Sequence, residues 1–339
     1  MHSLYILPFL ISFAASVAIC SLIMWLSGKI KEKRRKENRH IHSNGISRIG
    51  GLAIILSFLA AIFLDKNLII TQSLWGVILG AAVLLFSGLI DDFWELDWRN
   101  QLFFQISAIV LIFITGTRIE YITSPFGGFI FLNMGKYLLP SLFFVILWML
   151  LVMNSMNWID GIDGLSGGIS IIGVFTIFLL SLRPDVNQPP VGIISMALAG
   201  SILGFLIFNF HPARVLAGTS GAIFMGFMLS VMAIYAGTKI ATTLLIMSVP
   251  VIDTLWVIGE RISAKKSIYN PDKRHLHYKL MEMGWSQKKI SLFFCAVTIL
   301  IAFVALNTRA IGKIITIFLI LLIMGITFIW LRKKTKQTR

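Results

Sequence analysis

Three observations predict an all-α, polytopic integral-membrane bundle. The 339-residue chain is 57% hydrophobic and only 13% charged, with a mean hydropathy of +0.86, which leaves too little polar surface to cover a soluble globule. Its apolar residues gather into runs near the ~20-residue length that crosses a bilayer as a helix. Finally, the net charge of +15 is carried by basic residues that punctuate those runs instead of forming a soluble patch, so nucleic-acid binding is not implied.

The runs give about eleven candidate spans, at 4–27, 49–65, 68–90, 101–117, 138–155, 166–182, 190–209, 218–236, 240–259, 290–307 and 311–331. The first has no basic segment before it and no clear small-residue cleavage site, so it reads as a retained span and not a signal peptide. The joins at 65–68, 236–240 and 307–311 are short enough to demand antiparallel hairpins, all on one side of the membrane. Cys20 and Cys295 are solitary thiols in apolar surroundings and provide no disulfide framework. The whole of 1–339 reads as one membrane-embedded domain.

Charge tests this topology. If the spans are right, Lys and Arg should concentrate on alternate sides. They do: of the 30 basic residues, only Lys66, Arg118, Lys136, Arg183, Lys239, Arg309 and Lys313 fall on one side. The rest lie in 28–48, 91–100, 210–217, 260–289 and the tail. The predicted orientation is therefore N-terminus outside and C-terminus cytoplasmic. The runs 29–36 and 331–339 read as topology determinants or anionic-lipid contacts.

Every loop with unusual polar chemistry falls on the basic, cytoplasmic side: 28–48, 91–100, 156–165, 210–217 and 260–289. The most loaded stretch is Asn154-Ser-Met-Asn157-Trp-Ile-Asp160-Gly-Ile-Asp163-Gly-Leu165. Its polar residues recur every third position, and each such step falls about 60° short of a helical turn, so the four cannot share one helix face. Gly161 and Gly164 loosen the backbone where a helix would end. A transporter more often spreads ionisable residues near the midplane and shows internal repeats, and neither feature is present here. Confinement to one rim points to chemistry at that rim.

Asp91, Asp92, Asp160 and Asp163 are hard oxygen donors of the kind Mg²⁺ takes, typically one or two at a time beside water and substrate phosphate. On a continuous helix Asp91 and Asp92 diverge by about 100°, so they would not chelate one ion together. Lys265, Lys266, Lys273, Arg274, His275 and His277 suit a diphosphate-bearing substrate. No P-loop or dinucleotide-binding glycine signature and no zinc spacing occurs. Several residues admit structural readings as well. Asp91 and Asp92 could terminate a span, and Asn154 and Asn157 could join helices by hydrogen bonds. His211 and Arg214 could shape a helix end or face a diphosphate. Asp253 lies inside an apolar span three residues after Pro250, so it needs a partner or a wet cleft.

The residues then match a known family. "RIGGLAI", "GLIDDFWEL", "NSMNWIDGIDGL", "GTSGAIFMGF", "VPVIDTLWV" and "DKRHLHYKL" run in the order seen in the polyprenyl-phosphate N-acetylhexosamine-1-phosphate transferases. These include the WecA-like and TagO-like initiators of cell-surface glycans and, more distantly, MraY, and the chain resembles them over nearly its full length. The resemblance implies transfer of a sugar-1-phosphate from a UDP-sugar, by default UDP-GlcNAc, to undecaprenyl or another polyprenyl phosphate. UMP would be released and Mg²⁺ required, with Mn²⁺ as an alternative. It implies a bacterial plasma-membrane enzyme with a cytoplasmic site, able to form a homodimer. Asp91 and Asp92 match the Asp-Asp motif, and Asn154, Asn157, Asp160 and Asp163 match the nucleotide and catalytic segment. Arg274, His275 and His277 match the histidine motif, Arg214, Thr219 and Ser220 complete the substrate contacts, and Asp92 with Asp163 is the expected metal set.

Three positions depart from the family pattern. Thr219 stands where a carboxylate is usual, Gln101 where a Lys commonly follows the Asp-Asp motif, and Tyr278 where a further His is usual. Loss of an anion at residue 219 should weaken metal binding and shift that work onto Asp160 and Asp163. A second functional class shares this fold on the same observations: a non-catalytic paralogue, or a scaffold or transporter of polyprenyl-linked glycans.

Overall fold

A computed structural model describes residues 2–27, 46–123, 128–132, 138–237, 240–268 and 273–337. The basic run at 29–36 and most of the 28–48 loop lie outside the described residues. Thirteen helices are seen within them: α1 His2–Ser27, α2 Gly50–Leu64, α3 Gln72–Trp94, α4 Trp98–Ile114, α5 Leu139–Ile159, α6 Leu165–Ser181, α7 Pro189–Asn209, α8 Gly218–Tyr235, α9 Ile240–Ile246, α10 Ser248–Ser263, α11 Leu276–Glu282, α12 Gln287–Asn307 and α13 Ala310–Gln337. The prediction of an all-α membrane protein holds. Each of the eleven predicted runs is occupied by helix. Seven of the helices are long and apolar enough to cross a membrane, or eight if α9 and α10 are one bent span, and α2, α4 and α6 are shorter apolar helices.

Packing places α8 at the centre. In its most apolar stretch 89% of residues are buried, against 17% for the peripheral α13. Its neighbours are α2, α3, α5 and α6, while α1 runs along α7 on the outside. Because the bilayer, not water, surrounds the bundle, exposed residues such as Leu300, Phe303 and Phe318 are as apolar as the core.

The details differ from the sequence-based expectation in five places. The run 240–259 is not a straight helix: α9 and α10 meet at a 75° bend. Pro250 lies in the first turn of α10, where its ring would clash with the carbonyl of Ile246 in a continuous helix. The join at 65–68 extends to Thr71, because Asp65 Oδ1 turns the chain by accepting from Asn67 N (2.8 Å) and Leu68 N (2.9 Å) before Thr71 caps α3. Helix α3 continues through Asp91 and Asp92 to Trp94, and α5 continues through Asn157 to Ile159, so these polar residues sit on final turns and not in loops. Loop 260–289 contains α11. A short hairpin, β1 Tyr121–Thr123 with β2 Phe129–Phe131, pairs Ile122 with Ile130 between α4 and α5.

Candidate active site

The site gathers around the start of α8, which has no cap of its own: Ala217 makes no side-chain cap bond. Asp92, on the last turn of α3, supplies it. Its Oδ1 accepts from Thr219 N at 2.7 Å, and its Oδ2 accepts from Ser220 N at 3.3 Å and Ser220 Oγ at 2.8 Å. A carboxylate at a helix start meets unsatisfied N–H groups and the positive end of the helix dipole. Neighbouring Asp91 faces elsewhere, as the 100° rule requires. It is buried, and its Oδ1 accepts from Leu96 N and Gln101 Nε2, both at 2.8 Å. Gln101 thus meets the Asp91 carboxylate as a neutral donor where the family pattern has a cation.

The 154–165 stretch crosses from α5 to α6 through a tight turn. Asn154 is an interhelical joint: its Nδ2 donates to Gln105 Oε1 on α4 and to Leu150 O, both at 2.8 Å. Asn157, one turn nearer the rim, makes no side-chain hydrogen bond among the described residues. Asp160 is held through its Oδ1 by Ser166 Oγ. Asp163 is buried, and its Oδ2 meets His211 Nδ1 at 2.7 Å and Ala213 N at 3.0 Å. Its backbone is also fixed from α12, by Ser291 Oγ at its carbonyl (2.6 Å) and Gln287 Oε1 at its N–H (3.2 Å). Gly164 starts α6 at φ +71°, a conformation that side chains resist. Gly161 is needed for proximity: a methyl there would lie 2.3 Å from His277 Nε2 and 2.7 Å from Tyr278 Oη.

That contact joins the aspartate turn to the histidine motif. His275 and His277 stack with ring centres 5.8 Å apart, and His275 lies edge-on to Trp158 at 5.9 Å. The His275 Nδ1 meets Asp253 Oδ2 at 2.7 Å, and Asp253 Oδ1 accepts from Leu276 N at 2.8 Å. Asp253 therefore has the partner its position demanded. His277 is fully buried, and its Nε2 has no hydrogen-bond partner. Burial, reinforced by neighbouring His275, pushes its pKa down to about 3, so it is neutral at physiological pH and brings no positive charge to a diphosphate. Arg214 is exposed, its guanidinium 5.9 Å from the Phe208 ring centre. Arg274 is half-buried and lines a groove of about 940 Å³ between α10 and α13.

The remaining polar stretches close the ring. Ser47 bridges Val215, and Gly50 N and Gly51 N donate to Leu216 O and Ala217 O at 2.9 and 2.8 Å. Asn209 links Gly164 N to Val215 O, with both bonds at 3.0 Å. The end of α3, the aspartate turn, 209–217 and the described residues 47–51 are thus linked through or next to the α8 start, while the histidine motif joins them through the aspartate turn at Gly161. Among the described residues no three His, Cys, Asp or Glu side chains converge as a preformed metal cage.

The fold and this carboxylate-rich rim define an integral-membrane protein whose polar groups meet at one end of a helical bundle. The sequence profile described as glycosyl transferase family 4 matches residues 74–237. A probable undecaprenyl-phosphate N-acetylglucosaminyl 1-phosphate transferase of Bacillus subtilis is 30% identical over 333 residues, covering 96% of this chain and 90% of the relative. The decaprenyl-phosphate N-acetylglucosaminephosphotransferase of Mycobacterium leprae is 31% identical over 320 residues (85% and 79%). A phospho-N-acetylmuramoyl-pentapeptide-transferase of Halalkalibacterium halodurans is 31% identical over 330 residues (90% and 98%). The chain belongs to this family of polyprenyl-phosphate sugar-phosphate transferases.

Proposed function

We propose that the chain moves N-acetylhexosamine-1-phosphate from a UDP-sugar to undecaprenyl or a related polyprenyl phosphate in the bacterial plasma membrane, releasing UMP and starting a cell-envelope glycan. The observation that carries this reading is that the aspartate turn with Asp160 and Asp163 is held on one side by 209–215, which lead into the α8 start capped by Asp92, and meets the His275/His277 motif at Gly161 on the other. The names of the relatives support the lipid phosphate and the N-acetylated sugar. The charge asymmetry supports a cytoplasmic site, an outside N-terminus and a cytoplasmic C-terminus, with α2, α4 and α6 completing eleven crossings together with their flanking residues.

An oxygen of the lipid phosphate attacks the sugar-bearing phosphorus in line, and the bond to the UMP oxygen breaks. The protein's task in such a transfer is positioning and charge compensation. Asp163 is oriented by His211 and the Ala213 N–H, and Asp160 by Ser166. Asn157 presents an uncommitted amide to the nucleotide sugar, and Arg274 supplies positive charge. Asp91 and Asp92 hold the α3 end against α4 and α8, where the lipid phosphate approaches. The donor set fits Mg²⁺, or Mn²⁺: hard carboxylate oxygens in a turn, without a preformed cage, suit an ion that keeps water and substrate phosphate as ligands. Asp163 with Asp160 would hold it. Asp92 fits less well than expected, because both its oxygens are engaged at α8. When bound, the ion neutralises charge on the diphosphate.

The test is purified protein with radiolabelled UDP-sugars, undecaprenyl phosphate and Mg²⁺. Label should enter the lipid phase with UDP-GlcNAc and vanish with EDTA. No lipid product with any UDP-sugar, and no Mg²⁺-dependent UMP binding, would favour the scaffold reading.

A further inference from the structure

We infer that Asp253 is a positioning residue for His275. It rests on the transferase reading for its catalytic consequence, but not for its structural content. Asp253 lies on α10, beyond the 75° bend from α9, and presents a carboxylate from within that helix to the start of α11. Both groups are buried, and the two carboxylate oxygens have separate tasks: Oδ2 meets His275 Nδ1 at 2.7 Å, and Oδ1 accepts from Leu276 N at 2.8 Å. The backbone bond fixes which way the carboxylate faces, and an ionised carboxylate oxygen can only accept. The neutral ring must then carry its proton on Nδ1 and present Nε2 as its second nitrogen. Trp158, edge-on at 5.9 Å, and stacked His277 hold the ring plane next to the aspartate turn. With one oxygen on His275 Nδ1 and the other on Leu276 N, Asp253 acts through His275.

Replacement by Asn makes a sharp test, because Asn has one acceptor and one donor. The Leu276 N–H claims the acceptor, so the amide NH₂ faces Nδ1 and drives the ring proton to Nε2. In full-length protein labelled with ¹⁵N-histidine, the neutral His275 ring should be the Nδ1–H tautomer, and Asp253→Asn should switch it to Nε2–H. In turnover assays Asp253→Asn should lower kcat about 100-fold while KM for the UDP-sugar stays within about threefold. The Asp253→Asn/His275→Asn double variant should be no worse than His275→Asn alone. A wild-type ring protonated on Nε2 overturns the inference, and that reading needs no variant to fold. So does an Asp253→Asn variant within about twofold of wild type, or losses that multiply in the double variant. If the wild type shows no transfer, the proposed function fails, while the tautomer measurement still decides the role of Asp253.

Discussion

In both Asp163–His211 and Asp253–His275, a carboxylate with only 3% of its side chain exposed meets a histidine Nδ1 at 2.7 Å. Each also takes a backbone N–H just beyond its histidine: Ala213 at 3.0 Å and Leu276 at 2.8 Å. The differences lie in exposure and in how the oxygens are used. The His211 side chain is 35% exposed and that of His275 6%. Both bonds to Asp163 converge on Oδ2, whereas Asp253 divides them between its oxygens. The same pairing therefore serves opposite ends. His211 is partly exposed, and under the proposed mechanism it steadies the carboxylate that works on substrate. In the buried pair the carboxylate steadies the histidine.

This comparison predicts an ordering of effects. Asp163→Asn removes a working group and should lower kcat by about 1,000-fold, whereas His211→Asn removes only its support and should cost about 10- to 100-fold. Equal losses in steady-state assays would break the distinction. Gly161→Ala touches neither pair, but its methyl would meet His277 Nε2 at 2.3 Å, and separating the aspartate turn from the histidine motif should reduce kcat about tenfold. Thr219→Asp adds a carboxylate to the first turn of α8 beside Asp92. It should raise activity a few-fold at limiting Mg²⁺ and leave it unchanged at saturation, read from Mg²⁺ titrations. Unchanged Mg²⁺ dependence would mean that residue 219 lies outside the metal's reach.

The smallest effect is on stability. His277 has its pKa lowered from 6.5 to about 3. Above about 6.5 it is neutral both folded and unfolded, so its contribution is constant. As pH falls below that value, only the unfolded chain gains the proton, and stability is lost at up to about 1.4 kcal/mol per pH unit until pH nears 3. Thermal unfolding of detergent-solubilised protein between pH 7 and 5, compared with His277→Asn, should show a shallower slope for the variant.

Much of the architecture was legible because the bilayer imposes a simple rule on apolar run length, and every predicted run is helical. The bend before Pro250 was missed because hydropathy averages over backbone geometry, and α11 because it is only seven residues long. The divergence of Asp91 and Asp92 followed from helical spacing alone. The partner of Asp253 did not, because His275 lies 22 residues away, on a segment beyond the end of α10. Asn154 shows the converse. The sequence left it between the catalytic segment and a joint between helices, and packing chose the joint by giving its amide to Gln105, which the sequence did not single out. Thr219 also changed in meaning. Its side chain lacks the expected charge, yet its N–H helps hold Asp92 at the same point.

The most direct test of the account is lipid-linked product formation from radiolabelled UDP-GlcNAc by wild type, His211→Asn and Asp163→Asn protein, purified and assayed side by side. Wild type should transfer robustly, His211→Asn weakly, and Asp163→Asn should give background counts. Transfer by Asp163→Asn at the wild-type rate would contradict it.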